Sequence, residues 1–377
     1  PQGVVSEPVR KSDSFSGRAT GQEGHRTLFL RVRQGDTQWY LPVETEIRPA
    51  LEAIMEEKEG SNLHFRIINN SSESVQGTYA VNEAESAPFE LEGRAPSETF
   101  VCRASFVRMG TNRLRLFPDE GKAVEIRLTG WNFRNPRNTD YEPVDMQSVW
   151  NDRVTQIFRN RYLSPRYPLG TLQIPVQGIG EWCQPNMQAD IDDSGVRRAT
   201  RNGLFLSSMG IPFTSEADSL RNNVLFTSLW DNYPDSAEVS LQGKACHVYL
   251  LMAGSTNHMQ SRMVNGTVRI TYADGSSDLL ELVNPENWPP IEQDYFEDGA
   301  AFRLDAPRPY RVQLSTGLTT RNLGKALGLK GAASRRIPGG AAVVLDLPLD
   351  PSKELRKLTL TTHSGEAVIG LMGITLM

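Results

Sequence analysis

Cysteine is scarce: among 377 residues only Cys102, Cys183 and Cys246 occur, widely separated and without CxxC or Cys/His ligand spacing. That excludes a zinc site and a disulfide framework, and leaves room for one bridge. Apolar runs are short, and none approaches the roughly 18 residues of a bilayer-crossing helix. Positive charge is not in excess either, with 40 Lys and Arg against 45 Asp and Glu, a formal net charge of −5. The arginines are scattered among acids instead of forming a basic face, which argues against nucleic acid or anionic lipid and for a neutral partner. The histidines His25, His64, His247, His258 and His363 lack HxH or HExxH spacing, so structural roles are expected for them. No GxSxG elbow, P-loop or strand-following GxGxxG occurs, and no repeat is visible.

What is present is a series of short strand-like segments. The length exceeds what one core fills, since single cores stop growing near roughly 250 residues, and two domains are expected. The chain opens at Pro1 without a signal peptide, so a processed or excised product is expected and no compartment is read from a targeting segment. Residues 1–24 are polar, rich in Ser and Gly and without apolar periodicity, the composition of a flexible lead-in. From His25 short segments follow at Arg26 to Val32, Thr37 to Pro42, Leu63 to Ile68, Gly77 to Val81, Thr99 to Phe106, Asn112 to Phe117 and Ala123 to Leu128. Turn signals such as Asn69-Asn70-Ser71-Ser72 separate them. This rhythm predicts an immunoglobulin-like β-sandwich over residues 25–130.

Residues 131–170 read as a connector with a short helix, from about Asp145 to Tyr162. Val149, Trp150, Val154, Ile157, Phe158 and Tyr162 recur there at helical spacings before Pro165. Over residues 171–377 strand patterns return. VRITY and KLTLTT alternate, HVYLLMAG suits a strand buried on both faces, and Tyr272 to Asp278 reads as a hairpin turn with Gly275 at positive φ. A long antiparallel series with little helix predicts a jelly roll, so the whole chain is expected to be all-β. The glycine-rich and basic stretch Asn322 to Gly340 is expected to be a mobile loop.

The segments HVYLLMAGSTNHMQSRMVNGTVRITYADGSSDLLELVNPENW and KELRKLTLTTHSGEAVIGLMGITLM resemble the galactose-binding-like jelly roll of a family of multidomain, glycosidase-related Bacteroidetes proteins. LRVRQGDTQWYLPVETEIRPALE adds to that resemblance, in which the other region is the helical toroid of six-hairpin glycosidases. The resemblance implies export to the periplasm or cell surface and a role in polysaccharide use. It transfers no catalytic residue, and the single helical candidate does not make a toroid.

Candidate site residues fall in three groups, each with two readings. Asp190, Asp192 and Asp193 lie in QADIDDSG, where alternating oxygens before a glycine suit calcium. Arg201 in place of a bidentate Glu at the twelfth position excludes an EF-hand, leaving a looser calcium site or a solvated turn. No other cofactor is expected. Trp182 beside Glu181 offers a face on which sugar rings stack, or else a core anchor. Glu181 and Asp192 are the candidate catalytic pair, since a two-carboxylate glycosidase needs separations of roughly 5 or 9 Å; otherwise they are surface charge. Trp288 and Tyr295 sit in the proline-braced run Asn284 to Asp298, which lines a saccharide groove or crosses over and packs inward; Trp230, in Trp230-Asp231-Asn232-Tyr233, has the same two readings. The expected function is a noncatalytic accessory or carbohydrate-binding region of a secreted carbohydrate-active protein, with carbohydrate or an adjacent catalytic domain as partner. The alternatives are a glycoside hydrolase or polysaccharide lyase and a structural cell-surface protein.

Overall fold

The computed structural model describes residues 5–11, 14–19, 23–56, 62–136, 139–158, 190–229, 232–256, 260–297, 304, 306–331, 335–365 and 367–377. The chain divides into two compact units, Pro1–Cys102 with Leu114–Leu128, and Arg103–Arg113 with Thr129–Met377. The expected boundaries of 25–130 and 171–377 shift accordingly. Residues 131–158, expected in a separate connector, belong to the second unit.

The first unit begins with two antiparallel ribbons, β1 (Val5–Lys11) with β2 (Ser14–Ala19) and β3 (Gly24–Gln34) with β4 (Thr37–Ile47). The strands β1 and β2 lie in the stretch expected to be a structureless lead-in. The remaining strands are β5 (Leu51–Glu56), β6 (Leu63–Asn69), β7 (Val75–Val81), β8 (Ala87–Leu91), β9 (Phe100–Cys102), β10 (Gly110–Pro118) and β11 (Val124–Gly130). They form two sheets in the orders β5-β6-β9 and β11-β10-β7-β8, a seven-stranded immunoglobulin-like sandwich. Period-two alternation drives it: Leu63, Phe65 and Ile67 on β6 and Leu114 and Leu116 on β10 are fully buried, with half-buried or exposed residues between them. Phe65 meets Tyr79 at 5.5 Å and Phe100 at 5.7 Å between ring centroids, tying the two sheets together. The segments 26–32 and 37–42 are strands as expected, but they pair with each other outside the sandwich. Their places are taken by β5 and β8, short strands of sequence LEAIME and APFEL.

The second unit contains β12 (Glu142–Pro143), α1 (Ser194–Ala199), β13 (Leu204–Leu206), β14 (Pro212–Thr214), β15 (Leu225–Ser228), β16 (Ser236–Ser240), β17 (His247–Thr256), β18 (Val264–Tyr272), β19 (Ser277–Val283), β20 (Arg311–Gln313), β21 (Thr319–Thr320), α2 (Leu323–Ala326), β22 (Ala341–Pro348), β23 (Leu355–Thr362) and β24 (Ala367–Leu376). One sheet runs β15-β24-β17-β22 and continues through β20 to β21, with β12 also on β24; the other runs β16-β23-β18-β19. From β15 to β18, and again from β22 to β24, successive strands alternate between the sheets. That is the jelly-roll order.

The strand β17 lies at the centre and is buried along its whole length. Val248, Leu250 and Met252 point into the core between the sheets, with Val268, Ile270, Leu345, Leu358, Leu360 and Ile374. Tyr249, Leu251 and Ala253 point the other way, into a second core with Val154, Ile157, Val196, Phe205, Phe213 and Ile291. Both faces of the large sheet are therefore covered, which is why HVYLLM is apolar without alternation. The Tyr272 to Asp278 hairpin forms as expected, with Gly275 at φ +83° and the Asp274 carboxylate accepting the Ser276 N–H at 2.8 Å.

The helix expected over 145–162 does not form in the described part of that stretch, which contains turns and a single 3-10 turn at Val154–Gln156. The Asn151 and Asp152 N–H groups donate to the Val224 carbonyl at 3.0 and 3.2 Å, so they are unavailable for a helical ladder. The apolar side chains divide between two cores instead of sharing one face: Met146 and Trp150 enter the first, Val154 and Ile157 the second. The stretch Asn322 to Gly340 also differs from expectation. Leu323 and Ile337 are buried, and Arg335 is held by the Asp294 carboxylate at 2.6 Å, which anchors its described residues to the fold.

Candidate functional site

A roomy concavity lies wholly in the second unit. It is a cleft of about 650 Å³ lined by Met109, Phe133, Arg134, Asn135, Pro136, Thr139, Tyr141, Ser208, Met209, Gly210 and Tyr310. That volume falls in the range that holds small-molecule ligands. A second recess, beside Tyr295 and Arg308, measures about 30 Å³ and has room for roughly one water.

The cleft is built on irregular backbone, and buried side chains hold that backbone in place. Trp131 is buried and packs edge-on against Tyr310, with ring centroids 6.2 Å apart. Arg321 donates to the Asn132 amide oxygen, and its Nε donates to the Arg308 carbonyl at 3.0 Å. Asn135 is the central residue. Its Oδ1 accepts from the Met109 N–H at 2.9 Å and lies 3.0 Å from the Tyr249 hydroxyl, which also donates to the Met109 carbonyl at 2.8 Å. Its Nδ2 donates to the Tyr141 hydroxyl at 2.6 Å. A flipped amide would set an NH₂ group against the Met109 N–H, so the orientation of Asn135 is determined.

Below this lies a fully enclosed polar network. The Tyr249 ring stacks at 4.9 Å on His247, whose Nε2 is 2.9 Å from the Asp346 carboxylate. Asp346 also accepts the Thr111 N–H at 2.6 Å. Gly110 permits this approach: its φ is +96°, and a Cβ there would lie 2.5 Å from the Asp346 carboxyl. Burial raises the Tyr249 pKa well above the ordinary 10, so the phenol is a fixed donor.

Phe133, Tyr141, Met209 and Tyr310 are half-exposed, and Arg134 and Ser208 are exposed. The cleft therefore presents three aromatic rings beside a guanidinium, an amide and hydroxyls. Among the described residues no carboxylate lines it. The loop WNFRNPRNTDY carries most of these groups, and its interleaving of aromatics with Arg and Asn was the available signal.

The sequence-derived candidates do not converge there. Glu181, Trp182 and Trp230 lie outside the described residues, as does Cys183; no disulfide joins Cys102 to Cys246. Trp288 is fully buried between the jelly-roll sheets, where no ligand can stack on it. Tyr295 is buried as well, its hydroxyl donating to Asn284 at 3.0 Å. The Asn284 to Asp298 run is thus an inward-packing crossover over its described length. Asp193 is buried in an ion pair with Arg197 at 2.8 Å and accepts a hydrogen bond from Asn223 at 2.8 Å. The exposed Asp192 accepts the Ser194 N–H at 2.9 Å, capping the turn that enters α1, and Asp190 is exposed. Among the described residues no three His, Cys, Asp or Glu side chains converge as metal ligands.

No protein-family model and no curated protein matches the chain. Among solved structures the chain is similar to one titled "The Triple Jelly Roll Fold and Turret Assembly in an Archaeal Virus", at 9% identity over 94% of this chain and 58% of that one, with a TM-score of 0.18. The chain thus spans less than two thirds of that structure's length, and a likeness at this TM-score carries no argument.

Proposed function

We propose that the chain is a noncatalytic, carbohydrate-binding region of an exported carbohydrate-active protein, acting beside an adjacent catalytic domain, and that the saccharide lies in the cleft between Phe133, Tyr141 and Tyr310. The observation that carries this reading is a roomy cleft with half-exposed aromatic rings and a prearranged amide, and no carboxylate among its described lining residues. Sugar rings offer apolar C–H faces for the aromatics and hydroxyls for the polar groups. Backbone held in advance by the Asn135 and Trp131 contacts lowers the entropy lost on binding. Hydrolysis by paired carboxylates has no support in this cleft, because its described lining residues contain neither acid nor base of that kind. The resemblance to galactose-binding-like jelly rolls supports both export and the glycan class.

Affinity electrophoresis and calorimetry against a panel of plant and bacterial polysaccharides test the proposal. Phe133→Ala and Tyr310→Ala should each weaken binding at least about tenfold, the scale of one lost stacking contact of about 1.4 kcal/mol, while the melting temperature changes little. Trp182→Ala and Trp230→Ala belong in the same series. Absence of retention by every glycan in the panel refutes the reading.

A further inference from the structure

We infer that the cleft selects acidic saccharides, with the Arg134 guanidinium and the Tyr141 hydroxyl together reading a uronic-acid carboxylate. This rests on the proposed saccharide-binding role and narrows its ligand class.

The first argument is charge. Among the described residues Arg134 is the one charged residue lining the cleft, and it has no ion-pair or hydrogen-bond partner among them. Other arginines of the same unit are consumed by the fold. Arg197 is paired with Asp193, Arg335 with Asp294, and Arg311 donates to the carbonyls of Gln293, Pro290 and Ala341. An unspent guanidinium in a cleft without carboxylates offers a planar fork that matches a carboxylate's two oxygens.

The second argument is hydrogen-bond direction. Because Asn135 is locked with Nδ2 toward Tyr141, the Tyr141 oxygen already accepts one bond and its own proton has no acceptor among the described residues. Burial holds this phenol above the ordinary value of 10, against the Asn135 hydrogen bond and the nearby Arg108 charge, so it stays protonated at neutral pH. It is therefore a donor to the ligand. A guanidinium and a phenolic O–H are two donors in want of an acceptor, and a carboxylate is a sugar substituent whose two oxygens can accept from both. The overall charge of −5 repels anions at long range, so the selectivity is local and short-ranged. The expectation of a neutral partner, read from that net charge, is replaced by one read from the cleft.

The test is calorimetric titration of the full chain with oligomers of galacturonate, glucuronate and mannuronate, each alongside its carboxyl-reduced neutral counterpart. At least one acidic oligomer should bind tenfold or more tightly than its reduced form, and rising salt should erode the difference. Arg134→Gln should abolish that preference, so that the acidic oligomer and its reduced form bind alike. Tyr141→Phe should lower affinity for the acidic oligomer more than for its reduced form, narrowing the ratio between the two. Equal binding of both forms, or a preference that survives Arg134→Gln, overturns the acidic selectivity and leaves the saccharide-binding role standing. If neither form of any oligomer binds, nor any neutral glycan, both fall.

Discussion

Glu292 offers a sharp test of how the second unit is stabilised. It is 1% exposed; one carboxylate oxygen accepts from the Ser255 hydroxyl at 2.9 Å, and the other has no hydrogen-bond partner. Burial pushes its pKa from 4.5 up to about 7, although its own backbone N–H, Ser255 and the charges of Arg311 and Arg336 pull the other way. The folded state therefore binds this proton more tightly than the unfolded chain does. Stability from this group is fully present below about pH 4.5 and is lost as pH rises toward about 7. At 1.36 kcal/mol per pH unit that interval amounts to about 3 kcal/mol. Glu292→Gln mimics the protonated form and removes the dependence. Calorimetric unfolding of both proteins between pH 4.5 and 8 should show near-equal stability at the acid end. By pH 8 the variant should lead by about 3 kcal/mol, or roughly 6–12 °C in a unit of this size. A stability difference independent of pH would refute the reasoning, because it would mean that the native carboxylate is not desolvated.

Two further substitutions test the packing. Trp288→Ala, in the middle of the jelly-roll core, should cost about 3–5 kcal/mol in urea unfolding and leave saccharide affinity in the folded protein unchanged; a large affinity loss at full stability would restore Trp288 as a contact residue. Asp193→Ala leaves the 4%-exposed Arg197 without its carboxylate, which should destabilise by about 3 kcal/mol and give no calcium-dependent phenotype. Stabilisation by calcium that vanishes in this variant would revive the metal site.

Much of the architecture was legible because alternation is a local property. Leu63, Phe65 and Ile67, or Val268 and Ile270, mark a buried face whichever sheet they join. The unbroken run at 247–253 likewise marked a strand covered on both sides. The helix expected over 145–162 was misread in its described part for a related reason: spacings of three and four record that side chains are buried, and not that they share a face. The site was less legible. Trp288 and Tyr295 were attractive as large aromatics in a proline-rich run, yet large aromatics gain most from burial, and these two took it. The cleft uses smaller signals, Phe133, Arg134, Asn135 and Tyr141, whose importance depends on Met109 and Tyr249, residues distant in the chain.

The sequence by itself determined an all-β chain of two units, the location of most strands and the hairpin at Gly275, since each follows from side-chain period and turn chemistry within a few residues. Only the tertiary structure decided that residues 103–113 and 131–158 belong to the second unit, that Asp193 is spent on Arg197, and that Arg134 is not spent at all. Whether a charge is satisfied depends on what long-range packing brings beside it, and no local pattern encodes that.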